Sequence, residues 1–130
     1  MRRQSQTIRM ALCLGVGFLL ATAALPGQDP LKVAPNNTKL LLENDQVRVF
    51  EFRAKPGERE PKHSHPAHVI YVVKGGKARF TMADGTSVEQ ELQAGQAVWG
   101  DPVTHTVDII GTSDVHVMAV ELKNQAAKKQ

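Results

Sequence analysis

From Thr38 to Lys123 every apolar run is soon cut by a turn-forming pair, and this punctuation limits the fold more than any other feature of the chain. The breaks fall at Asn44-Asp45, Pro56-Gly57, Gly75-Gly76, Asp84-Gly85, Ala94-Gly95, Asp101-Pro102 and Gly111-Thr112. Strands are predicted between them over Lys39 to Glu43, Val47 to Ala54, His68 to Val73, Lys77 to Met82, Ser87 to Leu92, Ala97 to Trp99, His105 to Ile110 and Val115 to Leu122. Short strands at that spacing argue for an all-β sandwich or barrel, and Asp84-Gly85 is the best single hairpin signal. No repeat of 20 to 50 residues is present, and 130 residues suit one domain.

The N-terminus has a different composition. Arg2, Arg3 and Arg9 precede an apolar run from Met10 to Leu20 and the small residues Ala21 to Ala24, which is the layout of a secretory signal peptide over residues 1–24. The run is shorter than a spanning helix needs, so the expected product is an exported chain, periplasmic or secreted, with no stable membrane association once cleaved. Cys13 is the only cysteine and lies inside that leader, so the mature chain holds neither a disulfide nor a thiol nucleophile. Charge agrees with the division. The chain has 16 Lys and Arg against 13 Asp and Glu, and the three leader arginines carry the whole excess, so nothing in the remainder argues for nucleic acid. Residues 25–37, with Pro26, Pro30 and Pro35, read as an extended linker, and residues 124–130 as a polar tail that frays.

Within the body, Gly57 to Gly76 holds three of the five histidines. His63 and His65 stand two apart, so on an extended backbone both imidazoles leave one face, roughly 6 to 7 Å apart at Cα. That is a workable bite for one metal ion. His68 rejoins that face if the chain bends at Pro66-Ala67. A second stretch, Gly95 to His105, brings one more histidine to the head of a strand, sharing its inward face with Val107 and Ile109. Alone, His105 reads as a hydrogen-bonded core residue; beside three others it reads as a ligand.

These two stretches resemble the paired motifs of the cupin superfamily, G-x5-H-x-H-x3/4-E-x6-G and G-x5-P-x-G-x2-H-x3-N. Gly57, His63 and His65 match the first residue by residue, and His68 keeps the spacing of the family's glutamate to its glycine, here Gly75. Gly95, Pro102 and His105 are recognisable in the second, with Pro102 one residue late, Thr104 in the glycine's place and Ile109 in the asparagine's. The resemblance covers Thr38 to Lys123 and implies a small jelly-roll barrel, the double-stranded β-helix, over residues 38–123. It also implies one divalent transition metal held by His63, His65, His68 and His105. The family's usual carboxylate suits Mn or Fe, whereas four neutral imidazoles favour Zn, Ni, Cu or Fe(II), and His68 in the glutamate's place is expected to be the weakest ligand.

The remaining candidates are pocket residues. His116 alternates with Met118, Val120 and Leu122 on the last strand, which sets it facing inward and Glu121 outward. It reads as a pocket residue or, more blandly, as a core histidine. Phe80 and Trp99 are pocket walls or plain core. Tyr71 is expected on the face opposite His68, between sheets or at a subunit contact, with a homodimer allowed. Glu60 and Asp101, near the two motifs, read as solvated loop residues. No nucleophile elbow or phosphate-binding glycine loop is present. Three readings stay open: a metal-dependent enzyme acting on a small oxygen-bearing molecule, dioxygenase-like or an isomerase or lyase; a non-catalytic module for a small ligand or a metal; and a barrel with vestigial histidines.

Overall fold

The computed structural model describes residues 28–123, so the leader and the tail lie outside the described residues. One helical turn and nine strands follow in order: α1 (Pro30–Val33), β1 (Thr38–Glu43), β2 (Val47–Ala54), β3 (Arg59–His65), β4 (His68–Lys74), β5 (Gly76–Met82), β6 (Ser87–Leu92), β7 (Ala97–Gly100), β8 (Val103–Ile109) and β9 (Val115–Leu122). They form two antiparallel sheets packed face to face, one ordered β1-β2-β9-β4-β7 and the other β3-β8-β5-β6. This is the all-β architecture expected from the spacing of strands and turns, in the jelly-roll form that the family resemblance implies. Between the sheets lie Phe52, Val72, Ala78, Val107, Ile109, Val115 and Val117, each large apolar side chain contributing about 1.5–3 kcal/mol by leaving water.

The turns obey their residues. Gly57, Gly85 and Gly95 all take positive φ, at 84°, 90° and 86°, where a side chain is strained. At Asp84-Gly85 the Asp84 carboxylate also accepts from the backbone N–H of Thr86 at 2.9 Å, closing the β5–β6 hairpin.

Four expectations need correction. Residues 25–37 are not wholly extended, because Asp29 caps α1 through its side chain and Pro30 opens the turn. Strand β3 is absent from the predicted strands because its inward face carries Glu60, His63 and His65 rather than hydrophobic residues. It is an edge strand, which tolerates Pro61, and a register shift between Glu60 and His63 turns both residues inward. Strand β9 has the opposite facing from the one predicted: Val115, Val117, Ala119 and Glu121 are buried, while His116 and Met118 face out. The prediction placed the acid in water, but a buried ion pair draws Glu121 inside, and with a period of two the whole strand turns with it. His116 instead meets Glu51 on the outer face, Nε2 to Oε2 2.9 Å. Trp99 is not core either, being 55% exposed.

The bend at Pro66-Ala67 is larger than a bulge. There the chain leaves one sheet and enters the other, so His63 and His65 belong to one wall of the barrel and His68 to the facing wall. Tyr71 lies exposed on the outer face, opposite His68.

Candidate metal centre

Strands β3 and β8 pair antiparallel with His63 directly opposite His105, so both side chains leave the same face of the sheet. His65 follows two residues later on that face. The three imidazoles are 0%, 9% and 8% exposed in the order His63, His65, His105, and one nitrogen from each lies within 4.8 Å of the others.

The donor set fits a metal. His63 donates its Nδ1 hydrogen to the Pro61 carbonyl at 2.7 Å, and His65 donates its own to Glu121 Oε1 at 2.7 Å. Fixing the hydrogen on Nδ1 leaves the Nε2 lone pair free to ligate. The Nε2 atoms of His63 and His105 are 3.1 Å apart, and two bonds of about 2.0–2.1 Å to one ion at right to tetrahedral angles span about 2.8–3.4 Å. A contact that close requires a proton on one of the two nitrogens, and that proton is what a cation would replace. Burial lowers the His63 imidazole to about 4 against the opposing Pro61 hydrogen bond. Burial, then repulsion from the other histidines, lowers His105 to about 3. Both are neutral at pH 7, the state in which imidazole ligates.

His68 faces these three from the other sheet. Its ring centroid is 4.7 Å from that of His65, its Nδ1 donates to the Pro66 carbonyl at 2.7 Å, and burial lowers its pKa. It stands outside the close triad. Its ring occupies the space above Gly100, the residue opposite it on β7, where an added Cβ would overlap the imidazole. Gly100→Ala should therefore push His68 aside and cost about 1–3 kcal/mol. A lowered thermal midpoint with the triad's metal affinity changed less than about tenfold is the result to look for.

Two carboxylates not predicted at the site complete it. Glu121, opposite His68 on β9, accepts from His65 and from Arg48, whose Nε and Nη2 reach its Oε2 at 2.9 and 2.6 Å. Arg48 Nη1 continues to Asp29 Oδ2 at 2.9 Å, so the residue capping α1 is linked to the cluster. Burial works to raise the Glu121 pKa, but the hydrogen bonds from His65 and Arg48 outweigh it and hold the group below the usual carboxylate range. Glu60 is no solvated loop residue: it is 5% exposed, with Oε2 3.7 Å from His63 Nε2. Burial pushes this carboxyl up to about 8. In the sequence, a lone acid in the apolar strand VHVMAVEL was the available signal for Glu121.

The cluster opens onto a cavity of about 400 Å³ between the sheets, lined by Glu60, His65, His68 and His105 at one side and by Ile70, Phe80, Val107 and Val117 elsewhere. The Phe80 ring centroid lies 5.6 Å from that of His105, and Phe80 is among the lining residues. Trp99 lines the rim, its Nε1 donating to the exposed Asp101 at 3.0 Å. His116 and Met118 are not among the lining residues.

Comparison with known proteins agrees with this architecture. A family model described as a cupin domain matches residues 50–121. A cupin domain from Bordetella pertussis Tohama I is similar in structure, with TM-score 0.61 and 24% identity over 66% of this chain and 91% of that one. A predicted oxalate decarboxylase from Thermotoga maritima gives TM-score 0.51 and 20% identity over 66% of this chain and 78% of that one. The DMSP lyase DddQ of Ruegeria pomeroyi gives TM-score 0.52 and 17% identity over 71% of this chain and 48% of that one. Among curated protein sequences none matches.

Proposed function

This chain belongs to the cupin family, and from that premise we propose that it holds one divalent transition metal through His63, His65 and His105 and uses it to act on a small oxygen-bearing molecule. His68 serves as a displaceable fourth ligand. The observation that carries this reading is the convergence of three buried imidazole nitrogens within 4.8 Å of one another beside an apolar cavity. A divalent ion supplies Lewis-acid polarisation to an oxygen that it coordinates. The chain's own residues do the remaining work. Pro61 and Glu121 orient two of the ligands, Ile70, Phe80 and Val117 keep water from the chamber, and His68 approaches from the facing sheet. The structural neighbours named as a predicted oxalate decarboxylase and a DMSP lyase carry enzyme names on the same fold, which supports reading the cavity as a reaction chamber. The layout of residues 1–24 supports export, with a mature chain beginning near Ala24 or Leu25 in the periplasm or the medium.

Metal content of protein purified without a histidine tag tests the reading. One divalent ion per chain is expected, and a chelator should lower the thermal midpoint by about 10–20 °C, since an ion bound only by the folded state stabilises that state. A chain with no metal whose melting ignores chelator would end it. Oxygen uptake and product analysis with small acids and diketones then separate turnover from simple binding.

A further inference from the structure

Five of the cavity's lining residues bear ionisable side chains: Glu60, His65, His68, Asp101 and His105. Among the described residues, no lysine or arginine lines the cavity. Of the cations on the strands, Arg48 is paired with Asp29 and Glu121, Arg59 with Asp108, and Lys77 and Arg79 with Glu89. One anionic group entering this chamber has the metal to meet it, if the metal reading above holds. A second meets mostly apolar walls, two carboxyl groups and the uncharged Gln90, with no cation among the described lining residues. Burying it without a cation is costly, and the usual solution, a guanidinium fork, is missing.

We infer that the cavity selects a molecule with one oxygen-bearing head and an uncharged apolar body, and that it rejects dicarboxylates of the same length. The head sits at the histidine cluster and the body along Ile70, Phe80 and Val117. The mouth lies between the edge strands β6 and β7, where Val88, Gln90, Val98 and Trp99 are both exposed and part of the lining. Gln90 pairs with the buried Ala78 on β5, so its side chain stands on the inner face of the sheet. It is the position from which a cation could be added without being sealed from water.

The test uses the full mature chain loaded with Zn²⁺, titrated by calorimetry with hexanoate and with adipate, which share a six-carbon skeleton and differ in the second carboxylate. Hexanoate should bind at least about tenfold more tightly. In Gln90→Arg, adipate should gain about tenfold while hexanoate stays within about twofold. Equal or tighter adipate binding by the wild type, no binding of either acid, or no gain in the variant would overturn the inference. Zinc uptake is measured first. A chain that takes up no zinc defeats the metal reading and this inference with it, whereas a zinc-loaded chain that fails to discriminate defeats this inference alone.

Discussion

Glu121→Ala should destabilise the protein by about 3–5 kcal/mol and weaken metal binding about 10- to 100-fold. Glu121 is 2% exposed and joins two groups that cannot easily do without it. Arg48 directs two N–H groups at its Oε2, and losing that partner leaves a half-buried guanidinium with Asp29 alone. His65 loses the acceptor that fixes its hydrogen on Nδ1, so its ring is free to rotate or to present the wrong tautomer. Glu121→Gln keeps the volume and one acceptor and should lose less on both counts. Denaturant midpoints and metal dissociation constants for the two variants give the comparison. Loss of stability with unchanged metal affinity would show that the carboxylate serves only the fold.

A second large effect is expected from pH in protein stripped of metal by chelator. His63 and His105 titrate from 6.5 in the unfolded chain to about 4 and about 3 in the folded one. The unfolded state therefore binds more protons below pH 6.5, and stability is lost as pH falls from there toward 3. Glu60 works in the other direction: its carboxyl rises from 4.5 to about 8, so its contribution is lost as pH rises across that interval. Stability of the stripped protein should peak near pH 6.5 and fall on both sides, the histidines together amounting to something on the order of several kcal/mol, a large share of the total for a small domain. Glu60→Gln should remove the alkaline decline and leave the acid one. Urea midpoints from pH 4 to 9 provide the measurement, and a flat profile in the stripped protein would contradict the burial of these groups.

Each effect involves a carboxylate, Glu121 or Glu60, that sequence reasoning placed in water but that is buried, and the reason is common to them. Alternation reads a strand's facing from its hydrophobic residues, and that served β8, where His105, Val107 and Ile109 are buried together. It failed in β9, where Glu121 is stabilised inside by partners 56 and 73 residues away in sequence, distances over which no local pattern carries information. In β3 the inward face carries the chemistry, so no hydrophobic pattern exists to be seen. The spacing of His63 and His65 was legible because both ride one strand. The separation of His68 onto the facing sheet was not, because Pro66-Ala67 reads the same whether the chain bulges or changes sheets.

The overlap between position 100 and the His68 ring also bears on how such a site changes over time. A side chain at 100 and an imidazole at 68 exclude each other in this geometry, so the two positions are not free to vary one at a time. Gly100 has to be present before a histidine can settle at 68. Any lineage that acquired a larger residue at 100 would first have to give up the histidine or move the strand. A shorter side chain at 68 would lift the restriction, so variation at 100 should become neutral in backgrounds such as His68→Ala, making the fate of one substitution depend on the history of the other.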